Sequence, residues 1–357
     1  MNYLNRGKEG MEIKKIYVAT PGDKDNGGGE SLHQLVDACN RLGYDAYIYY
    51  LQVKRDTVLE KMKIYNIKVA TSIEDEESNL LICPEMLTYP LKKYRNIRKG
   101  IWFLSLDYYL RSLPYYRTVF VSNKWNIPFV LFPVTFLAVL VGTNATFKSF
   151  NFAKDNICYF LYNVEYAHEY IEEKCCNKHI SQYLCGPINN IYFEEDIDIL
   201  EKECMVAYNP RKATNFTQKI INSFEQCDLN IKFVPIQNLE QHEVKSVLKK
   251  AAVYMDFGYF PGPERIPREA VMMKCNIVTS NLGSAANEID VPIDSSFKFS
   301  LEESNIESIV TLIKNMIINY EKYVPMYEQY RIKVKKQKKE FDRNVRTFLE
   351  RIESDET

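Results

Sequence analysis

The stretch IKKIYVATPGDKDNGGGESLHQLVDACNRLGYDAYIYYL, Ile13 to Leu51, decides how the chain is read. Ile13 to Ala19 is a short apolar strand. Thr20 to Gly29 is a loop that closes on three consecutive glycines. From Glu30 to Leu42, Leu32, Leu35, Val36 and Cys39 recur at helical spacing. Gly43 stands where a helix stops on a residue free to turn left-handed. Asp45 to Leu51 is a second apolar strand. A strand, a helix and a second strand in close succession form a unit that pairs in parallel and covers the sheet with its helix.

Outward from this unit the pattern continues. Asn79 to Pro84, Gly100 to Leu106, Asn156 to Tyr162 and Ser181 to Leu184 read as strands. Val58 to Tyr65 and Glu165 to Cys175 read as helices, and Tyr108 to Ala153 as an apolar, tyrosine-rich insertion. Residues 187–203 are acidic and irregular, as a linker is. The unit then restarts: a strand at Met205 to Tyr208, a loop at Asn209 to Ala213, and a helix at Thr214 to Phe224 with Thr214 as its N-cap. Strands follow at Ile231 to Val234, Ala252 to Asp256 and Asn276 to Ser280. Helices follow at Leu239 to Lys250, Pro267 to Lys274, Glu302 to Tyr320 and Tyr327 to Ile352. The expected division is an N-terminal domain over 1–190, a C-terminal domain over 191–325 and a closing helix over 326–357. The fold class is α/β, two parallel-sheet Rossmann-like halves facing across a cleft, with a long C-terminal helix.

Composition narrows the function. The 357 residues suit two domains, and 46% hydrophobic with 26% charged residues excludes wholesale disorder. Basic and acidic residues nearly balance, 46 against 47, so no basic surface for nucleic acid is expected. Nine cysteines without a C-x-x-C pair read as reduced thiols in a cytoplasmic protein and give no zinc site. Residues 1–10 are polar, unlike a secretory leader, and Met11 is an alternative start. The apolar run Ile127 to Val141, broken by Pro128 and Pro133, is shorter than the ~20 residues of a spanning helix.

In parallel α/β sheets, ligands collect beyond the carboxyl ends of strands. The informative residues are therefore Gly27 to Glu30, Glu85, Asp107, Asn163, Asn209 to Lys212, Pro235 to Asn238, Asp256 to Gly258 and Ser280 to Ser284. Gly28 and Gly29 open a helix, where bare N–H groups suit a phosphate or sugar oxygen; a surface turn is the other reading. Arg211 and Lys212 lie between a strand and a helix N-terminus. Together with Asn209 they suit a diphosphate, or else are solvated loop cations. Arg265, Arg268 and Glu269 cluster where a helix begins. There the carboxylate can accept both hydroxyls of a ribose, or the cluster is a capping network. Gly283 and Ser284 are expected to offer bare N–H groups at the next strand end. Glu85 and Asp107 are placed to orient or deprotonate an acceptor hydroxyl, or to hold a loop. His33 either faces the ligand or packs inside.

Two such halves, with a GGGE turn, the YNPRK strand end, a helix opening on PREA and the SNLGS turn, resemble the GT-B glycosyltransferases. The likeness is to the group that builds bacterial surface polysaccharides such as lipopolysaccharide or capsule, and covers about residues 12 to 350 outside the Tyr108 to Ala153 segment. It implies a donor nucleotide-diphosphate sugar held through Gly28, Gly29, Arg211, Lys212 and Glu269. The implied acceptor is a saccharide or a lipid-linked saccharide, with no cofactor, no metal and a retaining outcome. Many members of the family carry a second Glu eight residues before the ribose carboxylate. Pro261 stands there in this chain, with Glu264 close by. Asp196-Ile-Asp198 spells a metal-binding D-x-D but falls in the acidic linker. Lys92, Lys93, Arg95, Arg98 and Lys99, with Tyr94, Trp102 and the apolar insertion, are expected to contact the inner membrane peripherally, or form a solvated helix beside buried strands. The basic stretch Lys333 to Lys339 carries the same two readings. The alternatives to transfer are a nucleotide-sugar epimerase of the same fold and a non-catalytic nucleotide-sugar-binding or scaffold protein.

Overall fold

A computed structural model describes residues 11–22, 27–53, 56–142, 157–175, 178–194, 197–224 and 229–354. The chain divides into two compact units, residues 1–186 with 340–357, and residues 187–339.

The first unit is a seven-stranded parallel sheet. Its elements are β1 (Lys15–Pro21), α1 (Gly27–Arg41), β2 (Ala46–Leu51), β3 (Lys68–Val69), β4 (Asn79–Pro84), α2 (Pro90–Lys93) and β5 (Arg98–Phe103). There follow α3 (Leu106–Ser112), α4 (Pro114–Lys124), α5 (Phe132–Gly142), β6 (Tyr159–Tyr162), α6 (Glu165–Lys174) and β7 (Ile180–Tyr183). The strand order is β3-β2-β1-β4-β5-β6-β7. Both faces are covered, so the strands are apolar on both sides. Ile16 and Val18 of β1 enter one core with Leu32, Leu35 and Val36 of α1, whereas Tyr17 and Ala19 enter the other with Leu106 and Ile171.

The second unit comprises β8 (Glu203–Tyr208), α7 (Thr214–Ser223), β9 (Lys232–Pro235), α8 (Gln241–Lys250), β10 (Ala251–Asp256), α9 (Arg265–Met272), β11 (Asn276–Ser280) and β12 (Lys298–Phe299). The helices α10 (Ile306–Ile318), α11 (Tyr320–Tyr323) and α12 (Glu328–Glu353) complete the chain. Its parallel sheet runs β12-β11-β10-β8-β9 around one core. α12 serves both units. Tyr330 and Val334 fill the second core, and Phe341, Val345, Phe348, Leu349 and Ile352 fill the α1 face of the first. Glu353 ties that end down by accepting from the Ile13 N–H at 2.9 Å and the Tyr44 hydroxyl at 3.2 Å.

Several sequence expectations need correction. Val58 to Tyr65 holds only a single 3-10 turn at Glu60–Met62. The glycines of GGGE are not loop: Gly27 is the first residue of α1. Thr214 is not an N-cap. Ala213 caps α7 in a left-handed conformation, and the Thr214 hydroxyl donates back to the Pro210 carbonyl. The described part of the Tyr108 to Ala153 segment forms the helical crossover from β5 to β6, and its apolar run is exposed helix rather than buried strand. Residues 143–153, the leader 1–10 and Asp196 of the D-x-D lie outside the described residues. Asp198 caps a 3-10 turn by accepting from the Leu200 N–H. No described helix is long and apolar enough to cross a membrane.

Candidate functional site

Each sheet has one place where the strand order reverses, a crevice no helix crosses. In the second unit it lies between β8 and β10. Asn209, just past β8, donates its side-chain amide to Asp256 Oδ2 at 3.2 Å, joining the two strand ends across that crevice. Asp256 is 2% exposed and also accepts from the Tyr254 hydroxyl at 3.1 Å and the Gly258 N–H at 2.9 Å. Asn209 Oδ1 in turn accepts from the Arg211 N–H at 3.0 Å, which shapes the loop leading into α7.

That loop carries the two cations. Arg211 is exposed and reaches Asn238, beyond β9, at 2.8 Å. Lys212 forms an ion pair with Glu264 at 2.8 Å, donates to the Tyr259 carbonyl at 3.1 Å and lies 5.1 Å from the centre of the Phe260 ring. Its stem runs over Gly258, where a Cβ would come within 2.2 Å of Lys212 Cδ. Glu264 is half-buried, and burial lifts its carboxyl above the usual range against the opposing pull of Lys212. Six described non-glycine residues have positive φ, and three of them, Ala213, Asn238 and Glu264, surround this loop. Each such residue costs of order 1–3 kcal/mol and persists only where its surroundings impose it, a pattern concentrated at ligand sites.

The PREA helix divides its residues between two tasks. Glu269 is 5% exposed in the second turn of α9, with Arg265 one turn earlier at 3.7 Å. Tyr192 packs beside it, and burial, then the Glu269 charge, hold that hydroxyl well above its usual range. Arg268 faces inward: 5% exposed, it donates to the Glu264 carbonyl at 2.9 Å and to Gln337 at 3.3 Å, fastening α9 to α12.

Of the two bare N–H groups expected at the next strand end, that of Ser284 needs correction. The Ser284 N–H donates to the Phe260 carbonyl at 2.9 Å, and its hydroxyl to the Gly262 carbonyl at 2.7 Å. Gly283, at φ +65°, bridges to Phe260, and a Cβ there would meet the Phe260 oxygen at 2.2 Å. The two residues hold the Phe257 to Glu264 loop that supplies the partner of Lys212.

In the first unit the reversal lies between β1 and β4. Gly28 and Gly29 open α1 close to it in sequence. His33 is packed inside, 1% exposed, donating Nδ1–H to the Gly29 carbonyl at 2.7 Å with Nε2 2.9 Å from the Tyr50 hydroxyl. Glu85 follows β4, is 2% exposed and accepts from the Leu104 N–H at 3.0 Å. Burial pushes its carboxyl up to about 8, despite that bond. Asp107, in the first turn of α3, accepts from the Tyr166 hydroxyl at 3.1 Å. Of the basic run, Arg98 ties backbone, donating to the Met11, Glu12 and Ser78 carbonyls.

The structure thus gathers Asn209, Arg211 and Lys212 at one crevice. It adds three strand-end residues with contacts there: Asp256, Gly258 and Asn238. Glu264, which the sequence offers only as a carboxylate near the place where the resembled family carries its second Glu, is found paired with Lys212.

No family model and no curated protein matches the sequence. Solved structures do. A glycosyltransferase from Rickettsia africae matches 95% of this chain and 98% of its own at a TM-score of 0.56 and 13% identity. HepE from Anabaena, solved in complex with UDP-glucose, matches 95% and 98% at 0.54 and 10% identity; its complex with UDP and glucose gives 0.55 and 9%. The chain therefore has the two-domain α/β fold of these glycosyltransferases.

Proposed function

We propose that the protein is a glycosyltransferase that takes a sugar from a nucleotide-diphosphate donor and delivers it to a saccharide or lipid-linked saccharide in surface polysaccharide synthesis. The observation that carries this reading is the Asn209 to Ala213 loop: two cations, a helix N-terminus and strained backbone converge at the crevice of the second sheet. Transfer breaks the bond between the anomeric carbon and the diphosphate oxygen, forms one to an acceptor hydroxyl and releases that hydroxyl's proton. The departing diphosphate gains negative charge. Arg211, Lys212 and the N–H groups opening α7 receive it, so the reading needs no metal. Glu269 holds the ribose, and the Glu264 carboxylate keeps the Lys212 ammonium in place. Retention at the anomeric carbon follows from the family resemblance alone. The fold shared with HepE, solved with UDP-glucose, makes that sugar nucleotide the first donor to try.

Thermal unfolding in the presence of UDP and UDP-glucose tests the reading, with Arg211→Ala and Glu269→Gln in parallel. Ligand at ~100 times Kd stabilises by ~2.7 kcal/mol. The expected result is a shift in wild type that both variants lose. A shift retained in full by both variants would move the donor site elsewhere. No shift with any of a panel of nucleotide sugars would remove the transferase reading.

A further inference from the structure

Exposed large apolar side chains concentrate on the α4–α5 pair among the described residues. Thr135 and Val139 of α5 are buried, while Val134, Leu137 and Val141 form an outward stripe at helical spacing, 63%, 61% and 87% exposed, and Val130, in the 3-10 turn before the helix, is 81% exposed. An outward helical face in water is ordinarily polar. Phe129 is 87% exposed and Trp125 69%, so the turn between the helices is apolar as well. The charge is one-sided. Acidic residues number 47 in the chain, yet none lies between Asp107 and Asp155, whereas Arg111, Arg117 and Lys124 do. Arg111 lies 4.6 Å from the Phe120 ring centre and Lys124 5.4 Å from that of Trp125. Both cations are exposed, with aromatic rings beneath them.

We propose that α4 and α5 are an interfacial docking element that seats the first unit on an anionic phospholipid surface. The eleven residues of α5 make a rod of about 16 Å, half the ~30 Å of a bilayer core, so it lies in the interface and does not span it. The apolar stripe enters the acyl boundary. Trp125 sits at headgroup level, and Arg111, Arg117 and Lys124 face the lipid phosphates. A second copy of the chain would satisfy the apolar stripe equally, but Arg111, Arg117 and Lys124, on a segment that carries no acidic residue of its own, repel the same cations of a second copy and attract an anionic bilayer. The inference does not depend on the donor-site reading, because vesicle binding is measured without substrate.

The test is sedimentation of the full chain with vesicles of phosphatidylcholine alone and of phosphatidylcholine mixed with phosphatidylglycerol. The variants are Val134→Ser/Leu137→Ser and Arg111→Glu/Lys124→Glu, with light scattering of each protein in solution. All four positions are exposed, and circular dichroism confirms that the variants keep the fold. Expected is binding to the mixed vesicles that weakens with salt, about tenfold or more weaker in the serine pair, and lost in the glutamate pair. Binding unchanged in both variants overturns the proposal. So does the absence of vesicle binding together with a dimer that the serine pair returns to monomer, which would assign the face to self-association.

Discussion

Glu85→Gln isolates the ionisation of one sealed carboxyl. In the folded chain, burial moves that group from its ordinary 4.5 up to about 8. Between those values the unfolded chain has released a proton that the folded chain keeps. Stability is therefore intact below pH 4.5, falls as pH rises towards 8, and is lowest beyond it. At about 1.4 kcal/mol for each pH unit, the native state loses about 2.5 kcal/mol between pH 5 and pH 7 on account of this group. Glutamine keeps an oxygen for the Leu104 N–H and has no proton to lose. Its buried amide adds an offset that does not vary with pH, so the informative quantity is the change in the stability difference with pH. Urea unfolding at pH 5 and pH 7 measures it through Trp102, which is fully buried and whose carbonyl accepts from the Glu85 N–H at 3.1 Å. The variant should gain about 2–3 kcal/mol on wild type over that interval. An equal difference at the two pH values would refute the reasoning. The same shift leaves Glu85 mainly protonated at neutral pH.

Two further outcomes are expected. Gly283→Ala places a methyl 2.2 Å from the Phe260 oxygen at φ +65° and should destabilise by at least about 2 kcal/mol, read as a lower melting temperature. Phe348→Ala empties a buried ring from the first core and should cost about 3–5 kcal/mol in chemical unfolding; a loss under about 1 kcal/mol would mean the last helix is not seated there.

Much of the framework is legible in the chain because secondary structure has a local period. Ile16, Val18, Tyr17 and Ala19 are all apolar, which already requires a strand covered on both faces, and Gly43 ends the helix before β2 at φ +94°. The cations at Arg211 and Lys212 are likewise visible, since a strand end followed by a helix start is a local event. What the period cannot supply is strand order. That Asn209 meets Asp256 follows only from β8 and β10 being neighbours across the reversal. The Lys212–Glu264 pair, the burial of Arg268 against Gln337 and the Ser284 bond to Phe260 likewise join residues brought together by sheet pairing and helix packing. The Arg268 cation that looked available for a ligand is inside for that reason. The stripe on α5 shows the opposite case. Its hydrophobicity is plain in the sequence, but whether such a helix faces a core or solvent depends on which elements fold over it, and only the tertiary structure decides that.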